Sequence, residues 1–369
     1  MIGSSQNGNG YEPRPRVLVA GALGAVGSLV ADLLARHPSV ELAALTARET
    51  GDDSTPIGKT LAEIYPEHRV DLKLQTLDEL ALADFDAAVV AYATDAAARL
   101  VQELRLQNLT VVDSCADFRF EDLHTYEDWY GPHQAPELLN EAVYGLPEVN
   151  RQKIMGAKLV GNPGCYPTAS VLALAPLVRE GLADDIVIDA KSGVSGAGKR
   201  GDEVPPFIST HENMRPYGAP KHRHKPEIVE RLAMLGYEGG LSFVPHLIPI
   251  DQGELVSCYV KPSRELSAEE LLELYVDAYR SEPFVEITEK LPTARDVQRT
   301  NICRLSPVLD HDGGRIFVFA TIDNLWKGGA SQAVQNLNLA LAIDERDGID
   351  NSVSVELDRA SLDRSTVSA

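Results

Sequence analysis

The segment of residues 16–36 constrains the fold of this chain more than any other. Residues 16–20 read as a short buried strand, with Arg16 followed by four apolar residues, and residues 28–36 repeat apolar side chains at helical spacing. The turn between them carries three glycines, Gly21, Gly24 and Gly27. A strand, a glycine-rich turn and a helix in this order predict the first strand–helix–strand unit of a parallel sheet.

Strands and helices continue to alternate along the first half of the chain. Further strands are predicted at residues 40–47, 86–91 and 110–113, with a helix at 96–107 before the last of them. This alternation predicts an α/β domain, a parallel sheet covered by helices, of the Rossmann type that binds dinucleotides, over residues 15–164.

The middle of the chain has a different pattern. Short strand-like runs at residues 185–190, 241–243, 255–260 and 315–321 are separated by many Gly and Pro residues. We therefore expect a second α+β domain with a mixed sheet over residues 165–323.

The end of the chain is predicted to return to the first domain. Apolar residues recur at helical spacing after Asp323, so a helix over residues 324–345 is expected to complete that domain. Residues 1–14 and 346–369 are polar and lack periodicity, so we expect both tails to be loose.

The charge balance narrows the possible partners. The 369 residues include 34 Lys and Arg against 55 Asp and Glu, a formal net charge of −21. Nucleic-acid and membrane-surface binding both need a basic face, so neither is expected. The chain has no long apolar run and no signal-like start, which favours a cytoplasmic protein. Its four cysteines form no Cys-x-x-Cys pair, which argues against a disulfide framework and a zinc cluster.

The glycine turn is the candidate cofactor site. Glycines without a Cβ let the backbone turn sharply, approach a pyrophosphate and present N–H groups at a helix N-terminus. The residues expected to contact the cofactor are Gly21, Leu23, Gly24, Ala25, Val26 and Gly27. The alternative is a plain strand-to-helix turn that happens to be rich in glycine.

The end of the second strand indicates which dinucleotide is bound. An NAD site usually has a carboxylate about 20 residues beyond the turn, but this chain has Arg48 there, close to Thr46. A guanidinium and a hydroxyl suit the 2′-phosphate of NADP. The alternative is that Arg48 is a solvated loop cation and Glu49 holds the ribose.

Cys165 is the candidate nucleophile. It lies in Asn-Pro-Gly-Cys-Tyr-Pro-Thr (residues 162–168), before an apolar run that we expect to be a helix opened by Pro167 and kinked or ended by Pro176. A helix N-terminus lowers the pKa of a thiol and favours the thiolate. The other cysteines are expected to be buried and inert.

Two histidines follow in a basic segment. His222 and His224, two apart in what we expect to be an extended segment, are predicted to point the same way and relay protons. The pattern His-x-His-x-x-Glu, ending at Glu227, also resembles a metal site, but the adjacent cations Lys221, Arg223 and Lys225 oppose one, and no metal is expected. These cations favour an anionic substrate. A solvated loop is the remaining alternative.

Several motifs together resemble one family, the N-acetyl-γ-glutamyl-phosphate reductases, which are related to aspartate-semialdehyde dehydrogenases. Their residues match in order from about Arg16 to Ala342. The motifs are residues 117–119 (Asp-Phe-Arg), 144–148 (Tyr-Gly-Leu-Pro-Glu), 161–168 around Cys165, 192–198 (Ser-Gly-Val-Ser-Gly-Ala-Gly), 222–227, 245–247 (Pro-His-Leu) and 327–336.

The resemblance implies an NADPH-dependent reductive dephosphorylation of N-acetyl-L-glutamyl 5-phosphate to the semialdehyde, through a thioester on Cys165, in arginine biosynthesis. It makes His222 the acid/base partner of Cys165, with His224 second. Further residues carried over are Arg119, Tyr217, His224 and Glu227 for the substrate, and Ser195, Gly196 and Asn324 for NADP. For Arg119, a salt bridge with a nearby Asp is the alternative. The resemblance also implies a homo-oligomer, a dimer or tetramer, and makes residues 165–323 the catalytic, substrate-binding and oligomerisation domain.

The sequence departs from the family pattern at the edges of the site. The departures are the small residues of the glycine turn, residues 91–95 (Ala-Tyr-Ala-Thr-Asp), Ser114-Cys115, and Gln252, which replaces an Arg. Two alternatives therefore remain: a reductase of a carrier-linked glutamyl or aminoadipyl phosphate, and an inactive scaffolding paralogue.

Overall fold

The structure, a computed structural model, describes residues 13–48, 56–92, 94–197 and 211–349. Most of the two predicted loose tails, together with Glu49, Ala93 and Gly198, lies outside these residues. None of the described helices combines the length and apolar character that a membrane span requires.

The first half of the chain forms a seven-stranded sheet. Its strands are β1 (Arg16–Ala20), β2 (Glu41–Thr46), β3 (Leu74–Gln75), β4 (Ala87–Val90), β5 (Thr110–Asp113), β6 (Ala142–Tyr144) and β7 (Leu159–Gly161). Every pairing is parallel, in the order β3-β2-β1-β4-β5-β7-β6. The carboxyl ends of all seven strands therefore meet at one edge.

Helices cover both faces of this sheet. They are α1 (Ala25–Ala35), α2 (Leu61–Ile64), α3 (Thr94–Leu106), α4 (Leu123–Tyr130) and α5 (Pro147–Ile154). Alternate residues of β1 face opposite ways: Val17 joins a core with α1, whereas Leu18 joins a second core with Val101 of α3. A central strand buried on both faces explains the continuous apolar run at residues 17–20.

The second half of the chain forms a mixed sheet. Its strands are β8 (Ala183–Ser192), β9 (Arg215–Pro216), β10 (Gly240–Leu247), β11 (Glu254–Pro262), β12 (Val285–Ile287), β13 (Cys303–Asp310) and β14 (Arg315–Ile322), in the order β12-β13-β14-β11-β8-β10-β9. The predicted fold class, a Rossmann-type parallel sheet with a second mixed-sheet α+β part, is confirmed.

Within the described ranges, four further helices accompany this second sheet or return from it. They are α6 (Cys165–Arg179), α7 (His224–Met234), α8 (Ala268–Tyr279) and α9 (Ala330–Ala340). Short 3₁₀ segments lie at Leu77–Glu79, Leu82–Asp84, Pro136–Leu138, Val194–Ala197 and Ala294–Val297. Helix α6 packs on the mixed sheet through Leu172 and Leu174, which share a core with Ile188 and Val256.

Several element boundaries differ from the sequence predictions. Helix α1 begins at Ala25 and not at residue 28, because Gly24 already serves as its N-cap. Helix α6 neither ends nor breaks at Pro176 and continues to Arg179. Pro167 is its third residue, where a missing N–H costs nothing because first-turn donors have no intrahelical partner.

The C-terminal region also differs. Residues 324–329 form hydrogen-bonded turns, and the helix proper, α9, spans only Ala330–Ala340. It packs on α1, and Val334 and Leu337 join the core that contains Val17. The expectation of a loose tail from residue 346 is wrong for its first residues, because Ile349 is 2% exposed and joins the same core.

Candidate active site

Cys165 is the first residue of helix α6. The N-cap before it, Gly164, has extended backbone angles (φ −73°, ψ 161°) and no side chain to cap the helix. A Cβ on Gly164 would lie 2.5 Å from Nε2 of His224. The turn of residues 162–165, here called the nucleophile turn, therefore packs directly against an imidazole. Glycine is required at residue 164 because a side chain would occupy the space of the ring.

A cavity of about 670 Å³ opens in front of Cys165. Its wall includes Tyr217, His222 and His224, together with the cations Arg215, Lys221 and Arg223. Three cations around one cavity, in a chain of net charge −21, favour an anionic occupant. Lys225, which we expected in this basic cluster, is not part of the wall, whereas Arg215 is.

The two histidines are brought together by a turn. The segment is not extended as we predicted: Arg223 has helical angles (φ −59°, ψ −22°), and His224 begins α7. The two ring centroids lie 5.0 Å apart, and Nδ1 of His222 accepts a hydrogen bond from the backbone N–H of His224 at 3.2 Å. This contact leaves Nε2 to carry the hydrogen of a neutral His222 ring.

Both imidazoles are held neutral. Burial, followed by the charge of Arg223, lowers the pKa of His222 to about 4. Burial, then the neighbouring His222 and Arg119, also lowers the pKa of His224. At neutral pH these rings are therefore hydrogen-bond donors and weak bases, and the role of His222 as acid/base partner of the thiol stays a prediction.

Arg119 and Glu227 lie behind the nucleophile turn. The guanidinium of Arg119 donates to the carbonyl oxygens of Asn162 (2.7 Å) and Ser114 (2.9 Å), and contacts Oε2 of Glu227 at 3.4 Å. The salt bridge that we considered for Arg119 therefore forms, with Glu227 and not with an Asp.

Glu227 is fully buried and fixes the turn. Its Oε1 accepts hydrogen bonds from the backbone N–H of Gly164 (3.0 Å) and the hydroxyl of Tyr144 (2.9 Å). Neither Glu227 nor Arg119 lines the cavity, and both hold the turn before Cys165 in place. Direct binding of the substrate by these two residues stays a prediction. Within the described residues, the His-x-His-x-x-Glu side chains do not converge as metal ligands do.

Tyr217 is on the cavity wall, as the resemblance implied. Its hydroxyl donates to the hydroxyl of Tyr166 at 3.2 Å, and its ring lies 5.1 Å from that of His222. This aromatic packing holds the imidazole in place beside the cavity.

The thiol of Cys165 is not acidified by its surroundings. Burial and then the charge of Glu254 raise its pKa well above the ordinary value, which outweighs the lowering that we predicted from the helix N-terminus. Glu254 itself is fully buried, and burial raises the pKa of its carboxyl to about 8. The resting nucleophile is therefore a thiol beside a carboxyl group.

The glycine turn after β1 has the geometry of a phosphate cradle. Gly21 has φ +91°, and a Cβ there would lie 2.7 Å from the carbonyl oxygen of Ala91, while a Cβ on Gly27 would lie 2.2 Å from the carbonyl oxygen of Gly21. A Cβ on Gly24 would meet nothing closer than 3.5 Å. Packing therefore requires two of the glycines, and the third leaves an open space at a helix N-terminus.

The exposed part of this turn is residues 23–26, since Gly21 and Gly27 are buried. Leu23 and Ala25 lie half-buried on that surface, with Ala25 opening helix α1. An open glycine at the start of a helix fits the pyrophosphate of a dinucleotide.

Arg48 lies in a second cavity, beside this turn. Its guanidinium stacks 5.2 Å from the ring centroid of Tyr92, and both residues line a cavity of about 460 Å³. Thr46 is fully buried, and its hydroxyl shares a hydrogen bond with that of Tyr92 at 3.1 Å. Of the two residues predicted to bind a 2′-phosphate, only Arg48 has an exposed side chain. The buried hydroxyl of Thr46 bonds to Tyr92 instead.

A loop joins the two sites. A Cβ on Gly328 would lie 2.6 Å from Cβ of Cys165, and one on the next residue, Gly329, would lie 3.3 Å from Cγ2 of Val26. The cysteine and the glycine turn therefore approach the same two residues. This contact places Cys165 beside the glycine turn.

Asn324 organises the edge of this junction. Its Oδ1 accepts from the N–H of Gly253 at 2.7 Å, and its Nδ2 donates to Oγ of Ser195 at 3.0 Å. Ser195 and Gly196 lie on the surface beside it, and Gly196 lines the cavity of Cys165. Asn324 thus positions the two residues, and its own polar atoms are used within the protein.

Comparisons with known proteins give the family. Residues 16–157 match the family described as semialdehyde dehydrogenase, NAD binding domain, and residues 165–324 match semialdehyde dehydrogenase, dimerisation domain. N-acetyl-γ-glutamyl-phosphate reductase from Desulforudis audaxviator is 45% identical over 343 residues, covering 90% of this chain and 97% of that protein. The enzyme of the same name from Rubrobacter xylanophilus is 42% identical, covering 90% and 98%. This chain belongs to the N-acetyl-γ-glutamyl-phosphate reductase family.

Solved structures show the same fold at low identity. Aspartate semialdehyde dehydrogenase II from Vibrio cholerae has a TM-score of 0.69 at 18% identity, covering 89% of this reductase-family chain and 99% of that one. Aspartate semialdehyde dehydrogenase with NADP from Candida albicans has a TM-score of 0.65 at 17% identity, covering 89% and 98%.

Two motifs of the reductase family meet in a buried polar network and not in the cavity. Lys327 donates from Nζ to Oε1 of Glu148 at 2.7 Å, with both side chains fully buried, and to Gln335 at 2.9 Å. Asn336 donates to the carbonyl oxygen of Gly145 at 2.8 Å. This network fixes helix α9 against the strand that precedes α5, and so holds the joining loop.

Sequence reasoning missed three residues of the site. Arg215 and Ser192, the last residue of β8, line the cavity, and Glu254 lies behind Cys165. The signal for Ser192 was its place as the first residue of the family motif at residues 192–198. The signal for Arg215 was its position two residues before Tyr217. The signal for Glu254 was a carboxylate at the start of an otherwise apolar strand.

Proposed function

We propose that this protein reduces N-acetyl-L-glutamyl 5-phosphate to N-acetyl-L-glutamate 5-semialdehyde and phosphate, with NADPH as reductant. The observation that carries the proposal is the position of Cys165. It lines a cavity that contains three cations, and it packs against the loop at Gly328 and Gly329, which also contacts the glycine turn. The names of its 45% and 42% identical relatives supply the substrate.

Cys165 attacks the acyl carbon of the substrate. The C–S bond forms as the bond to the phosphate oxygen breaks, and a thioester remains on the enzyme. Arg215, Lys221 and Arg223 offset the negative charge of the phosphate in the same cavity. A carboxylate lacks such a leaving group, which is why an activated acyl phosphate is required.

His222 and His224 act as neutral groups beside the acyl carbon. We assign the Nε2–H of His222 to a hydrogen bond with the acyl oxygen, where negative charge develops when the carbonyl is attacked. His224, packed against Gly164, keeps the turn in place and lines the same wall. NADPH, when bound, supplies the hydride that converts the thioester to a thiohemiacetal, which collapses to the semialdehyde.

The residues that would hold NADPH are those of the first domain. The open turn of residues 23–26 would face the pyrophosphate, and Arg48 the 2′-phosphate. Ser195 and Gly196, positioned by Asn324, would approach from the second domain. On this assignment the units are residues 15–164 with the C-terminal helix, and residues 165–323.

We also propose a homo-oligomer built through the mixed sheet. Helix α6 covers one face of this sheet. On the other face, Val187, Tyr259 and Phe317 lie side by side in register and are only half-buried. A row of aromatic and apolar groups across three strands favours a second copy as the cover. The family description of residues 165–324 as a dimerisation domain supports this.

We place the enzyme in the cytoplasm. All four cysteines are free thiols, including the proposed nucleophile. A thiol-dependent enzyme suits a reducing compartment.

Reversal of the reaction tests the function. With the semialdehyde, phosphate and NADP, the wild-type protein should form NADPH, and Cys165→Ser should lose at least about 1,000-fold in rate, since the covalent route is removed. Cys258→Ser, which alters a cysteine buried in the core of the mixed sheet and outside the wall of either cavity, is the matched control and should retain activity. Equal NADPH formation by wild type and Cys165→Ser would refute the nucleophile.

A further inference from the structure

We propose that Glu254 is the group that accepts the proton of the Cys165 thiol when the acyl phosphate is attacked. This inference rests on the proposed function, because it names the base for that nucleophile. It assigns a catalytic role to a residue that touches the reacting sulfur from behind, and not from the cavity.

Strand register directs Glu254 toward the site. Leu247 of β10 pairs with Ser192 of β8, and Ser192 pairs with Glu254 of β11. Residues opposite one another on neighbouring strands point to the same face of a sheet. Leu247 and Ser192 line the cavity of Cys165, so the side chain of Glu254 lies on the same face, one strand further in.

Helix α6 covers this part of the sheet. It packs on β11 and β14, and its first residue is Cys165. Gly253, the residue before Glu254, donates its backbone N–H to the side chain of Asn324. The backbone of Asn324 packs against Gly328, which in turn packs against Cys165. The carboxyl of Glu254 and the thiol of Cys165 therefore interact directly.

Glu254 has no other polar partner that satisfies it. The residue is fully buried, and no N–H or O–H group of the described residues donates to either carboxylate oxygen. The other two buried glutamates of the region are paired, Glu227 with Arg119 and Gly164, and Glu148 with Lys327. A buried, unpaired carboxylate is costly, and a carboxyl that takes a proton from its neighbour relieves that cost.

The charges around Glu254 support proton exchange with the thiol. The titratable groups that interact with it are Cys165, Tyr166, Tyr217, Cys303 and Asp323. All of these are acids, and Arg119 is the cation that favours the thiolate of Cys165. Burial, followed in the same direction by Asp323, raises the pKa of Glu254 to about 8. Because the thiol of Cys165 has the higher pKa, the carboxyl of Glu254 ionises first, and the carboxylate that forms as the pH rises can accept the thiol proton.

The alternative bases are weaker. Burial lowers the pKa of His222 to about 4, so a proton taken from a thiol would be poorly held there. An acceptor is most effective when its pKa lies near the working pH. Glu254 meets this condition, and His222 is left to donate its Nε2–H.

The proton balance closes without a further reagent. The S–H bond of Cys165 breaks as the C–S bond forms, and the proton moves to a carboxylate oxygen of Glu254. The departing phosphate takes one proton from solvent. After hydride addition the thiohemiacetal collapses, the semialdehyde leaves with the C–S bond broken, and Glu254 returns its proton to the Cys165 thiolate.

The test is a rapid-quench measurement of phosphate release from N-acetylglutamyl phosphate by the full-length enzyme, without NADPH. The wild type should release one burst equivalent, with a rate that increases with pH through an apparent pKa near 8. Glu254→Gln should slow the burst by about 100-fold and remove this titration. Glu286→Gln, which alters a partly exposed carboxylate on β12 distant from the cavity wall, is the matched control and should leave it unchanged.

Two results would overturn the proposal. One is a burst in Glu254→Gln as fast as, or faster than, that of the wild type, which would mean that the carboxylate only opposes thiolate formation. The other, which needs no variant to fold, is a wild-type burst that titrates near 4, the value for His222. Failure of the proposed function is distinct: a wild type without a burst, or Cys165→Ser with one, would show it.

Discussion

Two turns of this molecule share one backbone design and differ in what fills the space beside the glycine. Gly24 follows β1 and caps α1 at φ −69° and ψ 158°, and Gly164 follows β7 and caps α6 at φ −73° and ψ 161°. Neither helix has a side-chain cap. Both turns lie at the carboxyl edge of the same parallel sheet, where α/β proteins bind ligands.

The difference between the turns lies at the missing Cβ. At Gly24 the space is open to 3.5 Å, whereas at Gly164 the imidazole of His224 fills it at 2.5 Å. The N–H of Gly164 is also bound by Glu227, while that of Gly24 closes a turn onto Gly21. One glycine makes room for a ligand from outside, and the other makes room for a residue of the protein itself.

The largest effect is expected at the nucleophile turn. Gly164→Ala places a methyl group in the ring of His224, which displaces the imidazole or Cys165 by about 1 Å, and such a displacement costs about 100-fold in kcat. Binding of NADPH, measured by fluorescence titration, should be unchanged because the cofactor turn is separate. Gly240→Ala, at the exposed start of β10, is the control and should retain wild-type kcat.

A Gly164→Ala enzyme with normal kcat, or one that loses NADPH affinity and kcat together, would contradict the separation of the two turns. The second result would mean that the turns act as one unit.

The cofactor turn should show an intermediate effect. Gly24→Ala adds a methyl group where the protein leaves space, so the melting temperature should remain near that of the wild type while the Kd for NADPH increases about tenfold, a cost of about 1.4 kcal/mol. Gly27→Ala is the contrasting variant: its Cβ would lie 2.2 Å from a backbone oxygen, and it should lose about 3 kcal/mol of stability. Gly24→Ala with unchanged NADPH binding would show that the open space is not used by the cofactor.

The smallest effect is expected at Arg48. Because its guanidinium is exposed and screened by solvent, Arg48→Ala should increase the KM for NADPH only about fivefold and leave the KM for NADH unchanged. Steady-state kinetics with both cofactors measure this, with Arg36→Ala on the far end of α1 as control. An unchanged preference between NADPH and NADH would exclude Arg48 as the ligand of the 2′-phosphate.

The spacing of apolar residues, glycines and prolines along the sequence predicted much of this architecture. The run before Gly21, the three glycines and the helix after them correctly predicted the start of a parallel sheet, since each is decided by neighbouring residues. Cys165 was placed at a helix start by Gly164 and the prolines around it, and the structure has it there. The helix that continues through Pro176 was not predicted, because packing of its apolar faces on the mixed sheet outweighs a local proline signal.

Contacts between residues far apart in the sequence could not be predicted from local sequence patterns. Arg119 and Glu227 are 108 residues apart and meet behind Gly164, so neither sequence segment shows that they bind each other and not a substrate. Glu254 and Cys165 meet only because α6 lies across β11, and burial followed by the charge of Glu254 reversed the expected pKa shift of the thiol. Electrostatics at a site depends on burial, which a single sequence does not reveal.

The most direct test of the central claim is mass spectrometry of the enzyme mixed with N-acetylglutamyl phosphate in the absence of NADPH. The account predicts an N-acetylglutamyl adduct on the peptide that contains Cys165, which disappears when NADPH is added and the semialdehyde is released. Phosphate release with no adduct on Cys165, or an adduct on another residue, would contradict it.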